Sequence, residues 1–103
     1  MTQGMKYDTE KPRMDLLLAD MPRALIEVGK VLTFGADKYA PGNWQHVENA
    51  EQRYRAAGLR HDLALSTGEQ HDSETGLHHL AHEACCVLFR LELALRERES
   101  SHA

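Results

Sequence analysis

Residues 75–98 read TGLHHLAHEACCVLFRLELALRER, and the fold follows from how that stretch is wound. At about 100° per residue, Leu77, Leu80, Ala81, Ala84, Leu88, Leu91 and Leu95 share one face, and Cys85, Cys86, Phe89 and Leu93 lie on the other. Only a narrow wedge with Glu83, Arg90 and Glu97 is polar. A helix that is apolar nearly all round belongs inside a bundle or at a subunit interface. The spacing predicts a long helix over 75–98, with a frayed tail beyond it.

The rest of the chain reads as partners for that helix. A second helix is predicted over 48–66, closed by Thr67 and Gly68. Tyr54, Ala57, His61, Ala64 and Leu65 fall on one stripe, so His61 points where a leucine ordinarily sits. A first helix is predicted over 21–36, with Asp20 as N-cap, Pro22 in its first turn and Gly35 starting its end. Leu25, Val28 and Leu32 line one of its faces. MDLLLADMP reads as a short helical turn, and residues 1–14, with Lys6, Lys11 and Arg13, as an extended arm. Nothing alternates with period two, so no strand is expected. The expectation is an all-α protein. It is a small bundle of three main helices with an N-terminal arm, one domain over 1–103, completed by dimerisation.

Composition narrows the function. At 103 residues one domain is expected, and a domain this small buries a modest share of its surface, for which oligomerisation is a common remedy. A net charge of −4 argues against a nucleic-acid polymer as partner, although a local basic cluster can still hold a small anion. No apolar run approaches the ~18 residues of a membrane span. The first fifteen residues hold no apolar signal core, so a cytoplasmic protein is expected. Cys85 and Cys86 are adjacent and outside any disulfide framework, which reads as two small buried apolar side chains.

The compositional anomaly is histidine. Five of seven lie between His61 and His82. His79 and His82 are spaced i, i+3 and reach one object. His61 offers a third imidazole, and the acidic, turn-rich linker GEQHDSETG adds Glu69, Asp72 and Glu74. One reading is a divalent metal site on His61, His79 and His82, since imidazole suits transition metals and carboxylates suit magnesium or manganese. The other is a set of satisfied core histidines. The loop GADKYAPGNW, residues 35–44, also has two readings. Tyr39 and Trp44 can stack on a base, with Asn43 reading a purine edge, or they can plug the end of the bundle.

KYDTEKPRMDLL, VLTFGADKYAPGNW and LRHDLALSTGEQHDSETGLHHLAH occur here in an order that resembles a family of small phage and prophage proteins. That family is the N-terminal region of a dATP/dGTP diphosphohydrolase. The chain also resembles, distantly, the MazG-like all-α nucleotide pyrophosphohydrolases, including the MazZ enzymes. The resemblance covers about Met5 to Leu95. It implies a helical, usually dimeric bundle that cleaves a purine dNTP to monophosphate and pyrophosphate with magnesium or manganese, and so alters nucleotide pools in the phage's host. MazG-like enzymes hold their metals with Glu-x-x-Glu on one helix and Glu-x-x-Asp on the next. Here the second element reads His79-Leu80-Ala81-His82, and the preceding helix offers Arg60, His61 and Asp62 in place of a carboxylate pair. Glu48 and Glu51 have the Glu-x-x-Glu spacing but sit at a helix start, where acidic residues favour the dipole. Imidazoles in place of carboxylates favour manganese, cobalt or zinc over magnesium.

The resulting expectation is a metal-dependent nucleoside triphosphate pyrophosphohydrolase. Asp62, Glu69 or Asp72 would orient or deprotonate the water. Lys11, Arg13, Lys38 and Arg60 would offset phosphate charge, and Tyr39, Asn43 and Trp44 would hold the base. The alternatives are a nucleotide-binding protein without catalysis, such as a sponge for a host signalling nucleotide, and a structural dimer whose histidines satisfy one another.

Overall fold

The computed structural model describes residues 3–101. Its elements are α1 (Met14–Asp20), α2 (Pro22–Lys38), a 3-10 turn (Asn43–His46), α3 (Ala50–Ser66) and α4 (His79–Ser101). The all-α expectation holds. Among the described residues, extended backbone pairs at one isolated antiparallel bridge, His71 with His78. No helix among them is long and apolar enough to cross a membrane.

α4 is the axis of the bundle. α3 runs antiparallel along it, as the pairs Glu51 with Arg90, Tyr54 with Phe89, Gly58 with Cys86 and His61 with His82 require. A Cβ on Gly58 would lie 3.4 Å from Cβ of Cys86, so glycine sets the closest approach of these helices. α2 packs on another side of α4, where the Cys85 thiol donates to the Val28 carbonyl at 3.6 Å. The cysteines are free and buried, as expected. Burial pushes the Cys85 thiol up to about 11.

Four local expectations are corrected. Asp20 does not cap α2, because α1 occupies it and Met21 holds the N-cap position without a side-chain bond. Gly35 does not end α2, which runs on to Lys38 and accepts the Tyr39 amide at the Gly35 carbonyl. α3 starts at Ala50, from Asn49 in the left-handed region at φ 56°. α4 starts at His79 instead of residue 75, because Thr75 and Gly76 belong to a tight loop.

That loop is built round Asp72. Oδ1 of Asp72 accepts the amides of Glu74 and Thr75 at 3.0 and 2.9 Å. The Asp72 amide donates to Leu77, the Gly76 amide to Asp72 and the His79 amide to Gln70. The linker is thus folded back onto the start of α4.

The two faces of α4 part company. The Cys85, Cys86 and Phe89 face is packed, with Trp44 stacked on Phe89 at 4.6 Å. The leucine face is open. Leu80, Val87, Leu88, Leu91 and Leu95 are 48–57% exposed.

Candidate functional site

α2 delivers Phe34 and Lys38, the following loop Tyr39 and Asn43, α3 Tyr54, Arg60 and His61, and the Asp72 loop Glu74 and Thr75, all to one open cleft of about 880 Å³. Trp44, Asp72, His82 and Phe89 also line it. Tyr54 and His61 are two turns apart on α3, so the cleft has an aromatic end and a histidine end about 10 Å apart.

The aromatic end is pinned from both helices. Trp44 stacks on Phe89 with an interplanar angle of 9°, and the Arg96 guanidinium sits 5.5 Å from the indole centroid. Its carbonyl accepts the Tyr54 hydroxyl at 2.8 Å. Trp44 therefore closes the end of the bundle and borders the cleft at once. Tyr39 is 65% exposed with the Lys38 ammonium over its ring, and Lys38 donates to Glu74 at 2.6 Å.

The histidine end is a network. Nδ1 of His61 and Nδ1 of His79 are 2.8 Å apart, and Nε2 of His79 is 3.1 Å from a carboxylate oxygen of Glu69. The His61 ring also stacks on His82 at 4.6 Å. Nε2 of His82 lies 2.7 Å from the Thr75 hydroxyl, which lies 3.2 Å from Oδ1 of Asp72. Burial first, then the charges that His82 and His79 would carry, push the His61 imidazole below its ordinary value. Burial does the same to His82, against the pull of Asp72. Burial works to raise the Asp72 carboxyl, but the amides of Thr75 and Glu74, the Thr75 hydroxyl and His82 hold it below the ordinary carboxylate value.

Atoms able to ligate a cation converge from His61, Asp72 and His79, within 4.8 Å of one another. Two of these residues were expected from sequence as ligands, and Asp72 stands where His82 was expected. The arrangement suits a transition metal. The nitrogen and oxygen set is the one such ions take. Glu69 accepts the far ring N–H of His79, as the outer carboxylate of a ligating histidine does.

The other expected residues divide. Lys38, Tyr39, Asn43, Trp44 and Arg60 line the cleft with His61, Asp72 and His82. Glu69 orients His79 and does not line the cleft. Asp62 is exposed and does not line it. Lys11 and Arg13 are exposed and do not line it, and Arg13 pairs with Asp15 at 2.8 Å. Sequence reasoning missed Thr75, Tyr54 and Arg53 as cleft residues. Tyr54 was legible only as a member of the α3 stripe, and Arg53 carried no signal beyond its charge. Thr75 was assigned to a helix.

The sequence model of the family described as "dATP/dGTP diphosphohydrolase, N-terminal" matches residues 1–102. A protein of Salmonella phage PMBT28 named "dATP/dGTP diphosphohydrolase" is 41% identical over 86 residues, 84% of this chain. The matched stretch is 28% of that relative's length. No solved structure matches the chain.

Proposed function

The chain belongs to the family described as dATP/dGTP diphosphohydrolase, N-terminal, and on that premise we propose that it hydrolyses a purine deoxynucleoside triphosphate to monophosphate and pyrophosphate. The observation that carries the reading is the convergence of His61, Asp72 and His79: His61 and Asp72 line one end of a cleft whose other end is aromatic, and His79 is buried beside them without lining it. The volume of about 880 Å³ falls in the range of small-molecule sites.

His61, Asp72 and His79 would hold a divalent cation, manganese, cobalt or zinc before magnesium. When bound, such an ion polarises a phosphoryl oxygen and lowers the pKa of a water. The chain's own groups do the rest. Arg60 and Lys38 meet phosphate oxygens and offset charge that grows in the transition state. Tyr39 offers the free aromatic face for the base, and Asn43 both donates to and accepts from a purine edge. The water oxygen bonds to the α-phosphorus as the bond to the α,β-bridging oxygen breaks. Pyrophosphate leaves with that electron pair, and one proton is released to solvent.

The active form on this reading is a homodimer in the cytoplasm of the phage's host. The open face of α4 supports a two-fold partner. Leu80 and Leu95, Ala84 and Leu91, and Val87 and Leu88 are disposed symmetrically about the midpoint between Val87 and Leu88. An antiparallel second copy of α4 meets the same residues, as an isologous interface requires.

The test is incubation of metal-stripped protein with each NTP and dNTP, with manganese, cobalt, zinc or magnesium added and EDTA as control. Metal-dependent release of dAMP or dGMP with pyrophosphate supports the reading. Nucleotides recovered intact under every metal overturn it.

A further inference from the structure

We propose that Thr75 is a positioning residue that holds His82 in the Nε2–H tautomer, so that Nδ1 of His82 offers its lone pair to the attacking water in the cleft. The role for the water rests on the hydrolysis proposed above. The tautomer rests on the hydrogen bonds alone.

A threonine hydroxyl has one hydrogen and two lone pairs. Oγ1 of Thr75 has three neighbours: the Leu77 amide at 3.1 Å, Oδ1 of Asp72 at 3.2 Å and Nε2 of His82 at 2.7 Å. The Leu77 amide can only donate, so it takes one lone pair. Oδ1 of Asp72 already accepts the amides of Glu74 and Thr75, so that oxygen carries no hydrogen and can only accept, and it takes the hydroxyl hydrogen. One lone pair remains, and His82 must donate to it from Nε2. The reverse assignment would give the hydrogen to His82 and leave two oxygen lone pairs facing each other across 3.2 Å. Ring tautomers follow from such networks.

With the hydrogen on Nε2, the neutral ring keeps its lone pair on Nδ1. Among the described residues, no group hydrogen-bonds that atom. His82 lines the cleft, and its ring is held flat against His61, with 8° between the planes. The loop carboxylate therefore sets the orientation of His82 through a hydroxyl bridge, while Asp72 remains beside His61 and His79. This separates His82 from the cation ligands.

The experiment combines histidine nitrogen NMR with kinetics, on the wild type, Thr75→Ser and Thr75→Val. Long-range ¹H–¹⁵N spectra assign the tautomer of His82 in the metal-free protein and need no turnover. The expected result is the Nε2–H form in wild type and Thr75→Ser, and its loss in Thr75→Val. With dATP or dGTP, Thr75→Val then loses kcat by about 10–100-fold, part of the roughly 10²–10⁴-fold that a positioned base supplies, with KM little changed. Thr75→Ser retains both constants. An Nδ1–H ring in the wild type overturns the proposal, and so does full kcat in a folded Thr75→Val protein that has lost the Nε2–H form. If Thr75→Val does not fold, the wild-type tautomer and the Thr75→Ser rates decide alone. A wild type that shows Nε2–H but turns over no nucleotide overturns the reaction and leaves the tautomer assignment standing.

Discussion

Nδ1 of His61 and Nδ1 of His79 face each other at 2.8 Å. One of the two must donate when no cation is present. Glu69 accepts the Nε2 hydrogen of His79, so the neutral ring of His79 keeps its lone pair on Nδ1. The donor is then Nδ1–H of His61. A cation taking the place of that shared hydrogen uses both lone pairs, and Glu69 is what points His79 at it. Glu69→Gln should weaken manganese binding by about 10–100-fold, read by calorimetry on the metal-free protein. Unchanged affinity would detach Glu69 from the site.

His82→Ala is expected to abolish turnover and leave the helical circular dichroism spectrum intact. His82 is half-buried, so its loss removes little packing, while its ring faces the cleft. Full activity in a folded His82→Ala protein would refute the assignment of this histidine.

The Lys38–Glu74 pair spans exposed side chains, so its own contribution to stability is small. Its effect should show in binding. Glu74→Gln frees the ammonium and is expected to tighten a non-hydrolysable dNTP analogue several-fold at low salt. Lys38→Met should weaken it by about tenfold, in keeping with the loss of one charge-assisted hydrogen bond. Titration at two ionic strengths checks both, since the gain and the loss should shrink together as salt rises.

Acid should weaken the metal-free fold through its histidines. The folded protein holds the His61 and His82 imidazoles below their ordinary value of 6.5. The unfolded chain therefore binds more protons as pH falls through that value, and stability rises with pH there. The contribution is complete above about pH 6.5 and is lost on acidification below it. Melting temperatures between pH 8 and 5 test this, and His61→Leu should flatten the slope.

Gly58→Val is expected to cost about 1–3 kcal/mol by overpacking, because its Cβ would already meet Cys86 at 3.4 Å. For a domain of this size each kcal/mol is about 4–8 °C in melting temperature. On the open face of α4 the expectation is reversed for the single chain. Leu88→Asp with Leu91→Asp should leave secondary structure intact and convert the proposed dimer to a monomer, as read by sedimentation.

The helices were legible because their stripes are strong. The prediction that His61 sits in a leucine position follows from Tyr54, Ala57 and Leu65 alone, and all of these residues are half-buried. What sequence could not supply was the fold of the linker. Periodicity carried α4 back to Thr75, whereas one carboxylate oxygen of Asp72 holds that residue's amide out of the helix. The same loop geometry brings Asp72 beside His61 and His79, a placement no spacing in the chain encodes. Likewise Trp44 meets Phe89 and Arg96, partners far along the chain, so its role at the bundle end could be named but not chosen.

Trp44 is the chain's one tryptophan, and it borders the cleft while stacked on Phe89. The protein thus carries a built-in optical gauge. Its indole emission comes from a single known place, so a nucleotide entering the aromatic end should quench or shift the whole signal. Occupancy can then be followed in real time on unlabelled protein, while an ion arriving at the histidine end, about two helical turns away, should leave the emission nearly still.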